Sequence, residues 1–248
     1  MSVILIHGGC SSRDISEEEK EQWKRGLFQA GYESFELLRG GNSSVDAVER
    51  AVRVMEDNPV YDAGTGSYFN ILGEIEMDAM IMDSTGRTGG VIGIRHVRNP
   101  VSVARKVMEE IPHVLLSGEG AIRFARIMGF PEYDPGTEKA QEFLESQLGK
   151  APNSIENLLI RCRGDCGAAE DYSTVGAAAI DEKGILTAAT STGDTAQVAG
   201  ESWRLCDCWS RNLCQRAHRR ICHRDGRRNS QAWGHSTNIP AGRRWHVG

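Results

Sequence analysis

The sequence predicts an α+β fold, in which antiparallel strands stack in layers and helices pack outside them. Short apolar runs of strand length recur along the chain, and capped amphipathic helices lie between several of them. The clearest pair of runs, 175–180 and 185–189, flanks a four-residue turn that ends with Gly184. Two such runs around a glycine-containing turn indicate an antiparallel hairpin of buried strands. Pattern alone does not fix the number of layers.

The first predicted elements are a strand and a helix. The strand covers 3–6 and leads into His7. We interpret His7 as a strand-end histidine bonded to backbone, in preference to a catalytic group. Ser16 starts a capping box that predicts a helix as far as about Gln29, and Gly31 is placed to end it.

A second helix is predicted to begin at Ser43 or Ser44 and to end before Pro59, because apolar residues recur at helical spacing between them. In chain order, the further predicted elements are a strand pair at 68–70 and 74–77, strands at 79–82 and 90–94, and helices at 101–110, 119–128 and 139–147. Residues 131–172 are rich in Pro, Glu and Gln, so we expect a mobile linker around the last of these helices.

Composition indicates a globular protein with an unusual tail. The chain has 248 residues, enough for one large domain or two small ones. No apolar run reaches the length of a membrane span, and the opening run lacks the basic start of a signal peptide, so we expect a cytoplasmic protein. Residues 1–200 carry 19 Lys and Arg against 31 Asp and Glu, whereas residues 201–248 carry 10 Arg and 3 acidic residues. Such a shift in charge is typical of basic binding tails.

The hairpin brings two threonines together. Thr174 precedes its first strand and Thr192 follows its second apolar run, and the open ends of an antiparallel pair lie side by side. A threonine hydroxyl becomes nucleophilic when a base is next to it, and the residue's own free α-amine can be that base. This amine exists only if the chain is cut before Thr174. Taken alone, the segment favours ordinary β-branched strand residues.

A longer pattern changes this interpretation. Residues 174–193 read T-V-G-A-A-A-I-D-E-K-G-I-L-T-A-A-T-S-T-G and closely resemble the start of the small subunit of plant-type L-asparaginases. These enzymes also act as isoaspartyl peptidases and belong to the N-terminal-nucleophile hydrolases. Other matching motifs occur in the same order: I-H-G-G at 6–9, G-N-S-S-V-D-A-V-E-R-A-V at 41–52, N-P-V-Y-D-A-G-T-G-S at 58–67, G-E-I-E-M-D-A-M-I-M-D at 73–83 and P-H-V-L-L-S-G-E-G-A at 112–121. The resemblance implies the family's four-layer αββα sandwich.

The resemblance also implies a self-processing threonine hydrolase that needs no cofactor for catalysis. Cleavage between Ser173 and Thr174 would give a large chain, 1–173, and a small chain whose free terminal amine serves as base. Thr192 would orient the nucleophile. The implied substrates are L-asparagine and β-aspartyl dipeptides, and family members assemble as dimers of two-chain units. Neither a membrane nor a nucleic acid is expected as a partner.

Two positions depart from the family's pattern, and one loop follows it. Ser173 replaces the usual Gly or Asp before the nucleophile, so we expect slower self-cleavage. Asp62 stands on the oxyanion side, where many members have Asn, and an unpaired carboxylate there opposes the developing negative charge. The loop resembles the family's structural sodium site, which uses backbone carbonyls. Its residues are Met55, Glu56, Asn58, Tyr61, Ala63 and Thr65.

The resemblance stops beyond Gly193. The family's Arg and Asp that hold the substrate, and its Thr-Gly oxyanion motif, have no counterpart in 194–248. A one-base displacement of the reading frame near Asp194 explains this, since a tryptophan codon read one base later encodes glycine and family glycines then fall into place. We therefore divide the chain into 1–173, 174–193 and an aberrant tail, and expect the chain as written to be poorly folded and inactive.

Two alternatives stay open. The chain is a non-catalytic remnant of the family, or its tail is a metal- or nucleic-acid-binding module on that scaffold. The candidate ligands of the tail are Cys206, Cys208, Cys214, His218, Cys222 and His223. Their spacing matches no established zinc pattern.

Overall fold

The computed structural model describes residues 2–9, 16–70, 72–148 and 174–193. In this part of the chain six strands form one sheet with the order β1-β5-β6-β2-β3-β4. The strands are β1 (Val3–His7), β2 (Met77–Asp83), β3 (Thr88–Ile94), β4 (Leu115–Ser117), β5 (Val175–Ile180) and β6 (Leu186–Gly193). Neighbouring strands are antiparallel except β3 and β4. The expected α+β class with nearly all strands antiparallel is confirmed.

Three helices cover one face of the sheet. The α-helices of the described residues are α1 (Glu17–Arg39), α2 (Ser44–Glu56), α3 (Pro100–Glu110), α4 (Gly118–Ile127) and α5 (Glu138–Leu148). Helix α1 packs on β1, α2 on β5 and β6, and α3 on β2 and β3. Small and β-branched side chains fill the core between them, so the helices approach the sheet closely. The last three helices agree with the predicted bounds within one residue.

Helix α1 does not end at about Gln29, as predicted, but continues through Gly31. The glycines of this helix are points of close packing. A Cβ on Gly26 would approach the hydroxyl oxygen of Tyr61 to 2.5 Å, which is too close for any side chain. The chain leaves the helix at Gly41 instead, whose φ of +84° lies in the region that favours glycine.

The predicted strand pair between 68–70 and 74–77 forms only in part: the Asn70 N–H donates to the Glu74 carbonyl at 2.8 Å, but the two ranges form a tight turn and not two strands. The Asn70 side chain accepts hydrogen bonds from the N–H groups two and four residues later, at 2.9 and 3.0 Å. A side chain that bonds the following backbone in this way forms a turn and competes with strand pairing. Within these two ranges only Met77, the first residue of β2, belongs to a strand.

The second face of the sheet carries a smaller apolar cluster of Ala178, Leu186 and Ala188, with Ile180 packed against it. A second sheet, which the four-layer sandwich requires, is not among the described residues. Across the same residues, no helix combines the length and apolar character needed to cross a membrane. The linker beyond residue 148 and the tail 194–248 lie outside the described residues.

Candidate active site

Strands β5 and β6 form the predicted hairpin in the middle of the sheet. Val175 pairs with Ser191 near the open end, and Ile180 pairs with Leu186 at the turn. The Asp181 side chain holds the turn by accepting the N–H groups two and four residues later, both at 3.0 Å. Because β1 flanks β5 and β2 flanks β6, the open end of the hairpin has sheet on both sides.

The open end brings Thr174 and Thr192 together. The Thr174 hydroxyl donates to the Thr192 hydroxyl at 3.3 Å, and the Thr192 hydroxyl donates to the carbonyl oxygen of Gly193 at 3.1 Å. Thr192 is buried, whereas Thr174 is half-buried. Because Thr174 directs its proton into this relay, its oxygen lone pairs stay available for attack on an electrophile.

Asp62 lies beside the end of β6. Its carbonyl oxygen accepts the Gly193 N–H at 3.0 Å. A Cβ on Gly193 would come within 2.5 Å of Oδ1 of Asp62 and of the side chain of Ser67. The Asp62 carboxyl is therefore next to the peptide unit that follows Thr192, and it is nearly fully buried there.

His7 ends β1 opposite Gly176 of β5. Its ring lies against Gly176, at a place that a Cβ would occupy, and is hydrogen-bonded to the main chain of Thr174. Burial lowers the pKa of His7 below its ordinary value of 6.5, and the bond to Thr174 only partly offsets this effect. His7 is therefore a neutral, backbone-bonded histidine at the end of a strand, as predicted.

Helix α2 fixes the hairpin at both ends. At its start, the Ser44 N–H donates to the Asp181 carboxylate at 3.1 Å, and the hydroxyls of Ser44 and Thr187 are 2.8 Å apart. At its end, the Glu56 carboxyl approaches Ser191, the residue before Thr192. The position of the threonine pair therefore depends on a helix that is remote from it in the sequence.

Glu56 is fully buried and was missed by the sequence analysis as a side chain of the site. Its Oε1 accepts the Val101 N–H at the start of α3 at 3.0 Å. Burial raises the pKa of Glu56 to about 8, against the lowering effects of Ser191 and Asn99, so the carboxyl is protonated at neutral pH. The sequence did carry a signal for its burial: Glu56 follows Val52 by four residues and therefore lies on the apolar face of α2.

Asp78 is a second acidic residue that the sequence analysis did not assign. It lies on β2 directly opposite Thr192 and is buried. Its carboxylate accepts the Gly93 N–H at 2.8 Å. An acidic residue between apolar residues near the start of β2 was the signal that could have drawn attention to it.

The expected cation loop follows α2 and is built around two glycines. A Cβ on Gly64 would collide with the main chain of Glu56, and one on Gly66 would collide with the carbonyl groups of Tyr61 and Pro59. The carbonyl oxygens of Glu56, Tyr61 and Pro59 thus lie close to these glycines, and carbonyl oxygen is the donor type that a hard cation prefers. Within the described ranges, no three His, Cys, Asp or Glu side chains group to hold a metal ion.

Sequence comparison assigns the family. The profile of the family described as Asparaginase matches residues 1–202. The chain belongs to the asparaginase family. It is 46% identical over 201 residues to the plant-type L-asparaginase of Pyrococcus abyssi, with 78% of this chain and 63% of the relative aligned. It is 42% identical over 195 residues to the isoaspartyl peptidase/L-asparaginase of Mus musculus, with 77% and 56% aligned.

A third relative aligns with a similar identity and a similar share of both chains. The isoaspartyl peptidase/L-asparaginase of Homo sapiens is 40% identical over 192 residues, which is 77% of this chain and 60% of the human protein. The asparaginase-family chain thus spans less than two thirds of the length of these relatives. Ser173 and the tail 194–248 of this asparaginase-family chain, including the Cys and His residues considered as metal ligands, lie outside the described residues.

Proposed function

We propose that this asparaginase-family chain is a threonine hydrolase that cuts itself before Thr174 and then releases aspartate from L-asparagine and β-aspartyl dipeptides. The observation that carries the proposal is the 3.3 Å contact between the hydroxyls of Thr174 and Thr192 at the start of a central strand. The names of the relatives, plant-type L-asparaginase and isoaspartyl peptidase/L-asparaginase, support the substrate class.

The self-cleavage step uses the Thr174 hydroxyl as nucleophile. Its Oγ1 attacks the carbonyl carbon of Ser173, a C–O bond forms, and the hydroxyl proton passes to the departing nitrogen as the peptide C–N bond breaks. Water then hydrolyses the resulting ester. The products are a carboxylate on Ser173 and a Thr174 that carries both a free amine and its hydroxyl. Thr192 keeps the hydroxyl oriented through these steps.

The hydrolytic step uses the new amine as base. An α-amine has a reference pKa of about 8, which suits proton transfer close to neutral pH. Oγ1 of Thr174 gives its proton to the amine and attacks the side-chain amide carbon of asparagine or the isopeptide carbonyl. The C–N bond breaks, and the proton leaves with ammonia or an amino acid. Water then cleaves the acyl ester, which releases aspartate and restores the hydroxyl.

Two nearby features affect the rate. An ionised Asp62 carboxyl beside Gly193 would oppose negative charge on the tetrahedral intermediate wherever its own partners do not offset its charge, and the reaction would then be slower than with an amide there. A sodium ion would bind the loop after α2 and fix the backbone on which Asp62 lies. The carbonyl groups proposed to hold it belong to Met55, Glu56, Asn58, Tyr61, Ala63 and Thr65.

The proposed enzyme also has the family's larger architecture. We propose a four-layer sandwich, in which the second sheet covers the apolar cluster of Ala178, Leu186 and Ala188. Such a cluster on a sheet face is stabilised when a second layer buries it. The two-chain units would pair as dimers, and the protein would act in the cytoplasm.

A non-catalytic remnant of the family is the second candidate. It is favoured by the lack, in residues 194–248, of the Arg, Asp and Thr-Gly motifs with which the family holds its substrate. Loss of one oxyanion donor costs on the order of 10²–10³ in kcat, and here a whole anchoring set is missing. A remnant would still fold around the hairpin but would not turn over substrate.

Denaturing mass spectrometry of the purified full-length chain tests the proposal. The hydrolase requires that incubation yield fragments 1–173 and 174–248, with ammonia released from asparagine only after the cut, whereas the inactive chain expected from the sequence would give neither. Thr174→Ala should stay whole, whereas Thr88→Val, on a strand remote from the hairpin, should split at the wild-type rate. A wild-type chain that stays whole overturns the hydrolase and supports the remnant.

A further inference from the structure

The His7 ring lies against β5, the strand that directly follows the proposed nucleophile Thr174. In the ladder, His7 lies opposite Gly176, two residues beyond Thr174. The ring occupies the volume that a Cβ on Gly176 would fill. Only glycine at this position therefore allows the ring to lie this close to β5.

The ring is hydrogen-bonded to the main chain of Thr174. The bond favours the protonated ring, so the imidazole N–H is the donor. The acceptor on a main chain can only be the carbonyl oxygen, which belongs here to Thr174 itself. One end of the proposed nucleophile, which lies just before β5, is thereby attached to the neighbouring strand β1 through a side chain.

This attachment gains importance once the chain is cut. Before cleavage, peptide bonds hold Thr174 on both sides. Afterwards it is a terminal residue, and terminal residues fray unless other groups hold them. The contact with Thr192 fixes only the hydroxyl. A bond to the carbonyl group fixes the main chain, and with it the direction of the new amine relative to that hydroxyl.

We propose that His7 is a positioning residue, which lies over Gly176 and holds the carbonyl group of Thr174 so that its amine and hydroxyl keep a reactive geometry after cleavage. The function of this residue rests on the proposed function, whereas its structural contact does not. His7 touches no substrate and accepts no proton in this role.

Hydrogen exchange on the full-length chain tests the contact without any activity. We expect His7→Ala to speed amide exchange in a peptide covering the start of β5 by about fivefold, the worth of one net hydrogen bond. Gly176→Ala should do the same, because its Cβ displaces the ring. His113→Ala replaces an exposed histidine and should change nothing there. Equal exchange in all variants overturns the proposal.

Two comparisons separate local positioning from general destabilisation. Peptides from α2 and α3 should exchange at wild-type rates in His7→Ala; a uniform increase across the protein would mean that His7 supports the fold and not Thr174. In the His7→Ala background, Gly176→Ala should add less than a further twofold, since no ring remains to be displaced. Additive effects would contradict the shared contact.

Rescue by an amide donor gives the functional readout. His7→Asn and His7→Gln place an N–H donor near the two ring nitrogen positions, and at least one should recover most of the wild-type kcat while His7→Ala lowers kcat about tenfold with KM unchanged. If wild type is never cut, the proposed function fails, yet the exchange result still decides the contact. If wild type is cut and active but His7→Ala equals it, only the role of His7 fails.

Discussion

The carboxyl group of Asp62 fits against Gly193 so closely that no further carbon atom can be placed between them. The Gly193 N–H is bonded to the Asp62 carbonyl at 3.0 Å, and Oδ1 lies 2.5 Å from the position of a Cβ on Gly193. Gly193 directly follows Thr192. A charge on Asp62 therefore acts at short range on the end of the hairpin that holds Thr174 and Thr192, where screening by water is weak.

Replacing Asp62 by Asn should accelerate both self-cleavage and hydrolysis. The amide has nearly the same shape, removes the opposing charge and adds a donor, so a gain of up to about 10²-fold is expected. The half-time for appearance of fragment 1–173, followed on denaturing gels, measures it. Glu182→Gln removes one negative charge at the far end of the hairpin and serves as the control. An unchanged or slower rate in Asp62→Asn would contradict the electrostatic argument.

Removing the hydroxyl of Thr192 should slow self-cleavage with little effect on folding. Thr192→Val keeps the shape of the side chain but loses the 3.3 Å contact with Thr174. Loss of orientation of a nucleophile costs on the order of 10²-fold, whereas the two lost hydrogen bonds, to Thr174 and to the Gly193 carbonyl, together cost only about 2 kcal/mol of stability. Single-turnover cleavage and urea unfolding measure the two effects. Thr192→Ser should retain most of the rate; if it is as slow as Thr192→Val, a lost hydroxyl is not the cause.

Sodium should stabilise the chain more than a large cation of equal charge. The carbonyl oxygens crowded around Gly64 and Gly66 suit a small ion, and an ion at 100 times its Kd contributes about 3 kcal/mol. Thermal unfolding in sodium chloride and in choline chloride at one ionic strength measures the difference. Gly64→Ala should abolish the difference as well as lower the Tm. Equal Tm values of the wild type in both salts would argue against the site.

Replacing Glu56 by Gln should be tolerated better than replacement by Ala. The pKa of Glu56 is raised from 4.5 to about 8 by burial, so the neutral carboxyl and the Gln amide are alike at pH 7. Ala would leave the Val101 N–H without its acceptor, at a cost of about 1–3 kcal/mol beyond the cavity. Urea unfolding of the two variants gives the comparison. Equal losses in both would mean that the volume of Glu56 matters and its polar contacts do not.

The raised pKa of the Glu56 carboxyl also predicts how the free energy of unfolding depends on pH. The folded chain keeps the proton of Glu56 above pH 4.5, where the unfolded chain has lost it. Stability should therefore fall as the pH rises from 4.5 towards about 8, by at most about 1.4 kcal/mol per pH unit. Glu56→Gln should flatten this slope, measured as the urea midpoint over that range. A slope that survives the substitution must come from other groups.

Asp83 should make the stability of the fold depend on pH in the acid range, with stability falling as the pH falls. Burial alone would raise its pKa, but hydrogen bonds from Thr85 and Arg87 hold the pKa below 3.8. Its contribution should be complete above pH 3.8 and lost as the pH falls through the lower folded value. Asp83→Asn should lower stability by about 1–3 kcal/mol at pH 7 and weaken the acid dependence. Thr88→Val lies in the β2–β3 hairpin, as Asp83 does, and is the control for the packing of these two strands.

The threonine pair could be predicted because its causes are local. A glycine-containing turn of known length fixes the register of a hairpin, and that register, with Val175 opposite Ser191, brings Thr174 next to Thr192. The caps at Ser16 and Ser43 are equally local, and both are observed.

Glu56 and Asp78 escaped assignment because their roles depend on tertiary contacts. Glu56 meets Val101 and Ser191 only after α2, α3 and β6 have packed. The end of α1 was misplaced for a related reason. Gly31 looks the same in the sequence whether it stops a helix or lets another element approach, and only the packed structure distinguishes the two.

The place of β5 between β1 and β6 decides what a cut before Thr174 would leave behind. The two pieces would be interleaved, since strands of the small piece are hydrogen-bonded on either side to strands of the large one. Cutting the chain would therefore not separate the two pieces. The nicked protein should migrate as a single particle under native conditions, and only a denaturant would reveal two polypeptides.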